Sequence, residues 1–103
     1  MSMDNFLSFL QQILTMVEPE NASSVASAKA ALIAVFGLAK SSGKADAITI
    51  RSMMIAEREF EYLVSHWEEF TYHQKQNRKR LIFKIISNIF QNLFLKLEDF
   101  SMV

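Results

Sequence analysis

Residues 72 to 84, YHQKQNRKRLIFK, collect the side chains in this chain best suited to holding an anion. Lys75, Arg78, Lys79 and Arg80 form an electropositive run, Tyr72 and His73 stand just before it, and no acid falls between 71 and 84. Phosphate binding needs cations converging on one surface, and single-stranded nucleic acid adds aromatic platforms for its bases. On a helix, Lys75, Arg78 and Lys79 share a face. Two facts weigh against a nucleic-acid protein. Eleven bases are matched by eleven acids, so net charge is zero, and Glu68 and Glu69 lie close enough to neutralise part of the block. The expectation is a solvated block over an exposed loop and the flanking helix ends, with the dipole at the C-terminal end of a third helix favouring nearby cations. Reversing Arg78 and Arg80 together should then change stability little, because exposed charges contribute little.

Other chemistry-bearing residues are sparser. His66, Glu69 and His73 are spaced i, i+3 and i+7, and imidazole and carboxylate are zinc ligands. Neither H-E-x-x-H nor the paired E-x-x-H of bundle di-metal sites is present. The expectation is therefore an exposed polar face with a Glu69–His73 pair and no metal. Glu57, Glu61 and Glu68 recur on one helix side and read as a solvated stripe rather than as general acids or bases. The absence of cysteine excludes disulfides, thiolate metal sites and cysteine nucleophiles. There is no G-x-S-x-G and no phosphate-cradling glycine loop. Neither an enzyme nor a cofactor is expected.

The elements that position these residues follow from length and pattern. A chain of 103 residues forms one domain, 1–103, and two glycines with one proline are too few turn residues for a many-stranded β fold. Phe6, Leu10, Ile13 and Val17 predict a helix over 4–17, which Asp4 can cap and Pro19 ends. Val25, Ala28, Leu32, Val35 or Phe36, and Ala39 predict a second over 22–41, stopped by Gly43. Its small residues Ser23, Ser27, Ala30, Ala31 and Ala34 allow a neighbouring helix close approach. The apolar run at 30–39 is about ten residues, against roughly 20 for a bilayer crossing, so a buried central helix is expected.

From Lys44 onward there is neither glycine nor proline, yet the apolar phase breaks. Met53, Ala56, Phe60, Leu63, Trp67 and Phe70 form one heptad seam, and Phe83, Ile86, Phe90, Leu93, Leu97 and Phe100 form another. Extending the first to 74, 77, 81 and 84 meets Gln, Asn, Leu and Lys, so the two are out of register. A bend within 71–78 resolves this and gives helices over 45–71 and 77–98. The expected fold is all-α, a small bundle of about four helices whose last two form a long hairpin. The alternative is one continuous helix over 45–98 completed by a second subunit.

The last helix has an apolar face covering about half its circumference, wider than the roughly 100° stripe of a bundle-edge helix. A polar side of Lys84, Asn88 and Gln91, bordered by Ser87 and Asn92, is not the Lys/Arg-rich face of an interfacial membrane helix. The N-terminus lacks the charged start and cleavage site of a signal peptide, which points to the cytoplasm. Together these features predict a non-enzymatic protein–protein interaction module: an adaptor, regulator, inhibitor or dedicated chaperone. It is expected to pair with itself as a homodimer, or with another protein, rather than with a membrane surface. The expected contact residues are Phe83, Ile86, Phe90, Leu93, Phe94 and Leu97, with Trp67 and Phe70 at the far end. The competing reading is a dimeric nucleic-acid-binding regulator presenting residues 75–80 in duplicate.

Overall fold

The computed structural model describes residues 3–101, and side chains over 4–93. Four α-helices, α1 (Met3–Thr15), α2 (Ala22–Ser41), α3 (Ala47–Ser65) and α4 (Tyr72–Ser101), are joined by short connections, with one 3₁₀ turn (Trp67–Glu69) between α3 and α4. Among the described residues there is no strand. Each helix packs on two neighbours: α1 on α2 and α4, and α3 on α2 and α4. The all-α bundle with a terminal hairpin is the fold expected from sequence.

The boundaries have local causes. Asp4 lies inside the first turn of α1, where its charge complements the dipole rather than capping the helix. The α1–α2 connection is tied by Ser24, whose hydroxyl accepts from Glu18 N–H at 2.9 Å. Asn21 caps α2 by accepting from the Ser23 N–H at 3.2 Å. Gly43 ends α2 with φ +72°, the left-handed conformation that glycine adopts without a steric penalty. Asp46 caps α3, accepting from the Thr49 N–H and hydroxyl at 2.8 Å each.

The reversal between the last two helices falls earlier than the expected 71–78. α3 stops at Ser65, and α4 begins at Tyr72. The reason is a capping box. Thr71 Oγ1 accepts from the Gln74 N–H at 3.2 Å, and Gln74 Oε1 accepts from the Thr71 N–H at 2.9 Å. The T-x-x-Q signature stands in the sequence at 71–74 and marks a helix start five residues before the expected 77.

One core joins all four helices: Leu7, Leu10 and Leu14 of α1 meet Leu32, Val35 and Phe36 of α2, Met53, Phe60 and Leu63 of α3, and Ile82, Ile86, Ile89 and Leu93 of α4. The first seam is buried as expected from Met53 to Leu63, while Trp67 and Phe70, beyond the helix end, are half-buried. On α4, Ile86 and Leu93 are buried as expected, while Ile82 and Ile89 take the places of Phe83 and Phe90 in the buried line. Phe83 and Phe90 flank it, half-buried. Phe90 meets the Phe6 ring edge-on at 5.3 Å. On α4 the larger rings sit at the margin and the branched aliphatics fill the centre.

Ile86 is fully buried, so Ile86→Ala should cost about 2–5 kcal/mol. Thr71→Ala removes half of the capping box and should cost about 0.5–2 kcal/mol. Urea denaturation followed by circular dichroism reads both, and a Thr71→Ala variant as stable as the parent would show that the corner is held by packing alone.

Candidate interaction surfaces

The basic run occupies the first three turns of α4, not the end of α3. Its cations therefore sit at the positive end of a helix dipole, rather than in an exposed loop beside the negative end of the third helix. Lys75, Arg78 and Lys79 do share one face, but that face turns toward the corner. Lys75 Nζ lies 4.6 Å from the centre of the Trp67 ring. The Arg78 guanidinium lies 4.4 Å from the Phe70 ring and 5.0 Å from the Tyr62 ring. Its Nη1 reaches Glu59 Oε2 at 3.4 Å. Ring faces and one carboxylate supply the negative potential that the helix end does not.

Lys79 departs furthest from expectation. It is only 6% exposed, and its ammonium donates to the Thr15 carbonyl at 2.8 Å. That carbonyl ends α1, a helix with no basic residue in its last turn. Lys79 thus supplies from 64 residues away the cation that a helix C-terminus favours. Desolvation by burial lowers its pKa from the ordinary 10.5, opposed by the attraction of Glu18 and assisted by the repulsion of Lys75. An electropositive surface built on all four residues is accordingly not present. Arg80 is exposed beside Asn77, with Nη1 to Oδ1 at 3.4 Å.

The residues expected to meet a partner divide in three. Ile86 and Leu93 are core. Phe83, Phe90, Trp67 and Phe70 are half-buried against it. The side chains of Phe94 and Leu97 lie outside the described residues. The width of the α4 face has a local explanation, since this helix packs on both α1 and α3. Lys84, Asn88, Gln91 and Asn92 form its exposed side.

Large apolar side chains are exposed on all four helices: Phe9 on α1, Ile33 and Leu38 on α2, Ile48, Met54, Ile55 and Tyr62 on α3, and Tyr72 and Leu81 on α4. Helix α2 is long and apolar enough to cross a membrane by length and composition, yet only 28% of its most apolar 18-residue window is buried inside the molecule. It is therefore not a central helix buried on all sides. Ala28, Leu32, Val35, Phe36 and Ala39 face the core, while Ile33 and Leu38 are 64% and 62% exposed. The small residues Ser23, Ser27, Ala30 and Ala34, expected beneath a neighbouring helix, face outward, and Ala31 is half-buried. The sequence carried the signal in the unbroken apolarity of the segment, but periodicity alone did not say which side stayed uncovered.

Between α2 and α3 runs an open groove of about 440 Å³. Val25, Leu32, Ile33, Phe60 and Val64 give it apolar walls, with Lys29 on the α2 rim and Glu57 and Glu61 on the α3 rim. Glu68 does not continue that acidic stripe, because it lies in the 3₁₀ turn. The same break separates His66, Glu69 and His73 onto three elements. His66 stacks on Tyr62 at 4.1 Å, with Nδ1 3.1 Å from the Tyr62 carbonyl oxygen. Among the described residues, no three His, Asp or Glu side chains are grouped to hold a metal ion.

Compared with protein-family models, curated proteins and solved structures, the chain matches none of them.

Two outcomes follow from the placement of the cations. Arg78→Glu removes the ring and Glu59 contacts and sets two acids together, so it should cost about 1–2 kcal/mol, whereas Arg80→Glu should stay within about 0.5 kcal/mol. Equal effects in thermal melts would show that Arg78 is as solvated as Arg80. Lys79 sets a pH dependence. Its folded-state pKa lies below the unfolded value, so over the window between them the unfolded chain binds more protons and stability rises with pH. Over the window between the lowered folded-state pKa and 10.5 the parent should gain melting temperature with rising pH relative to Lys79→Met, which lacks the titrating group. Parallel pH profiles would mean that the ammonium is solvated.

Proposed function

We propose that this protein is a small non-enzymatic interaction module, self-associating or docking onto another protein through an apolar helix surface. Its roles would be those of an adaptor, regulator, inhibitor or dedicated chaperone acting in the cytoplasm. The observation that carries the reading is the exposed apolar face of α2, on which Ile33 and Leu38 stand out from a background of alanine and serine. Soluble monomers rarely expose large contiguous apolar patches, and those that do generally use them for contact. The mechanism is burial of that face, with the oppositely charged groove rims setting orientation.

The nucleic-acid alternative draws less support. Lys79 is buried on the α1 terminus and Arg78 is engaged by two rings and Glu59, which leaves Arg80, Lys84 and part of Lys75 facing outward. So few accessible cations on a chain of zero net charge would give a shallow salt dependence.

Sedimentation velocity of the purified chain at micromolar concentration tests the self-associating form of this reading. The expected result is a species heavier than the 11.9 kDa chain, favoured at higher concentration. A monomer throughout would remove self-association and leave a different protein as the occupant of the apolar surface.

A further inference from the structure

The observations on α2 specify an occupant: we infer that the outer face of α2 and the α2/α3 groove form a homodimer interface, in which α2 of a second copy packs antiparallel across them. This rests on the self-associating reading and names the surface that performs it.

Charge complementarity is the first argument. Lys29 stands on one rim of the groove, with Glu57 and Glu61 on the other. Among the described residues none of the three is in an ion pair or hydrogen bond. A partner surface that answers this groove must be apolar along its centre, with a cation on one flank. The outer side of α2 has that composition. Ile33 and Leu38 are its large exposed residues, Lys29 lies on the flank facing α3, and no acid occurs between residues 22 and 45. The surface is thus complementary to itself, as a two-fold interface requires.

The same charges select the orientation. A two-fold axis perpendicular to α2 keeps the Lys29 flank of each copy on the same side of the pair. Each lysine then meets Glu57 and Glu61 of the other copy. A parallel pair, related by an axis along the helices, puts those flanks on opposite sides and leaves the charges unmatched. With the axis near Ala30, residue 23 of one copy lies opposite residue 37 of the other, so a serine faces a glycine.

Gly37 supplies an independent observation. It lies within α2, where glycine weakens a helix relative to alanine. Nothing in its own chain comes within 4 Å of where a Cβ would stand. No contact inside the fold therefore requires a glycine there, and the open space leaves room for close approach of a second backbone. The available area reaches the lower end of the range for a specific interface. Two 19- and 20-residue helices side by side present a face about 30 Å long and about 20 Å wide, on the order of 600 Å². A standard interface buries about 800 Å² per partner.

A bilayer surface fits less well. Glu57 and Glu61 border the face and would oppose anionic headgroups. The outer ridge offers alanine, glycine and serine rather than the Trp, Phe and Leu of interfacial helices.

Sedimentation velocity and oxidative cross-linking of the full chain test the assignment. Ile33→Glu and Gly37→Leu should each weaken dimerisation at least tenfold while leaving the monomer folded and helical, because Ile33 is 64% exposed and nothing lies within 4 Å of a Cβ at Gly37. Lys29→Glu should weaken it as well, and adding Glu57→Lys with Glu61→Lys should restore it. In this cysteine-free chain, Ala30→Cys should give a disulfide-linked dimer under mild oxidation, and Leu81→Cys on α4 should not. A dimer indifferent to Ile33→Glu and Gly37→Leu would overturn this interface while leaving self-association standing through another surface. A parent chain that stays monomeric overturns both. If that monomer co-sediments with phosphatidylglycerol–phosphatidylcholine vesicles, the face belongs to a bilayer.

Discussion

The reversal at residues 66–71 is the constraint on which the rest of the molecule depends. Without it, α3 and α4 would run on as one rod, and Ile82, Ile86, Ile89 and Leu93 could not return to the core they share with Met53 and Leu63. No glycine or proline makes the turn. The chain leaves α3 through a 3₁₀ turn and enters α4 through reciprocal bonds between Thr71 and Gln74. The N–H groups of Glu69 and Phe70 are paired by backbone carbonyls of the 3₁₀ turn and those of Thr71 and Gln74 by side chains, so the break costs little in hydrogen bonding.

Starting α4 at Tyr72 moves the basic run to the positive end of a helix, and the structure answers that conflict with nearby partners. Trp67, Phe70 and Tyr62 offer ring faces, Glu59 a carboxylate, and Thr15 a helix-terminal carbonyl. The last of these ties the corner to α1. Lys79 therefore acts as a cross-link between distant parts of the chain, held by one hydrogen bond and by exclusion of water from its stem. A run that looks like an anion site in sequence is largely a clasp in three dimensions.

Uncovered apolar surface is left where packing is one-sided. α4 has α1 and α3 against its wide face. α2 is almost as apolar along its whole length but offers only one side to its neighbours, so Ile33 and Leu38 remain in water. The groove beside it separates Lys29 from Glu57 and Glu61 without joining them. The apolar residues left exposed on α2 thus lie on a helix packed from one side, whereas the broad apolar face of α4 is covered.

The sequence by itself determined the helical class, the hairpin and most of the core. Its period-3.6 apolar pattern, its few turn residues and the phase break between Phe70 and Phe83 reflect local geometry, which needs no knowledge of neighbours. Even the capping box was legible, as Thr71 and Gln74 three residues apart. Tertiary structure alone decided which apolar faces are covered and which cations are exposed. Those depend on which helices meet, and a small rotation of α4 about its axis exchanges Phe83 and Phe90 for Ile82 and Ile89 at the centre while Ile86 and Leu93 stay buried. Lys79 and Ile33 show the limit of a one-dimensional reading. A lysine in a basic run is buried because α1 ends above it, and an isoleucine in an apolar run is exposed because no helix in its own chain lies over it.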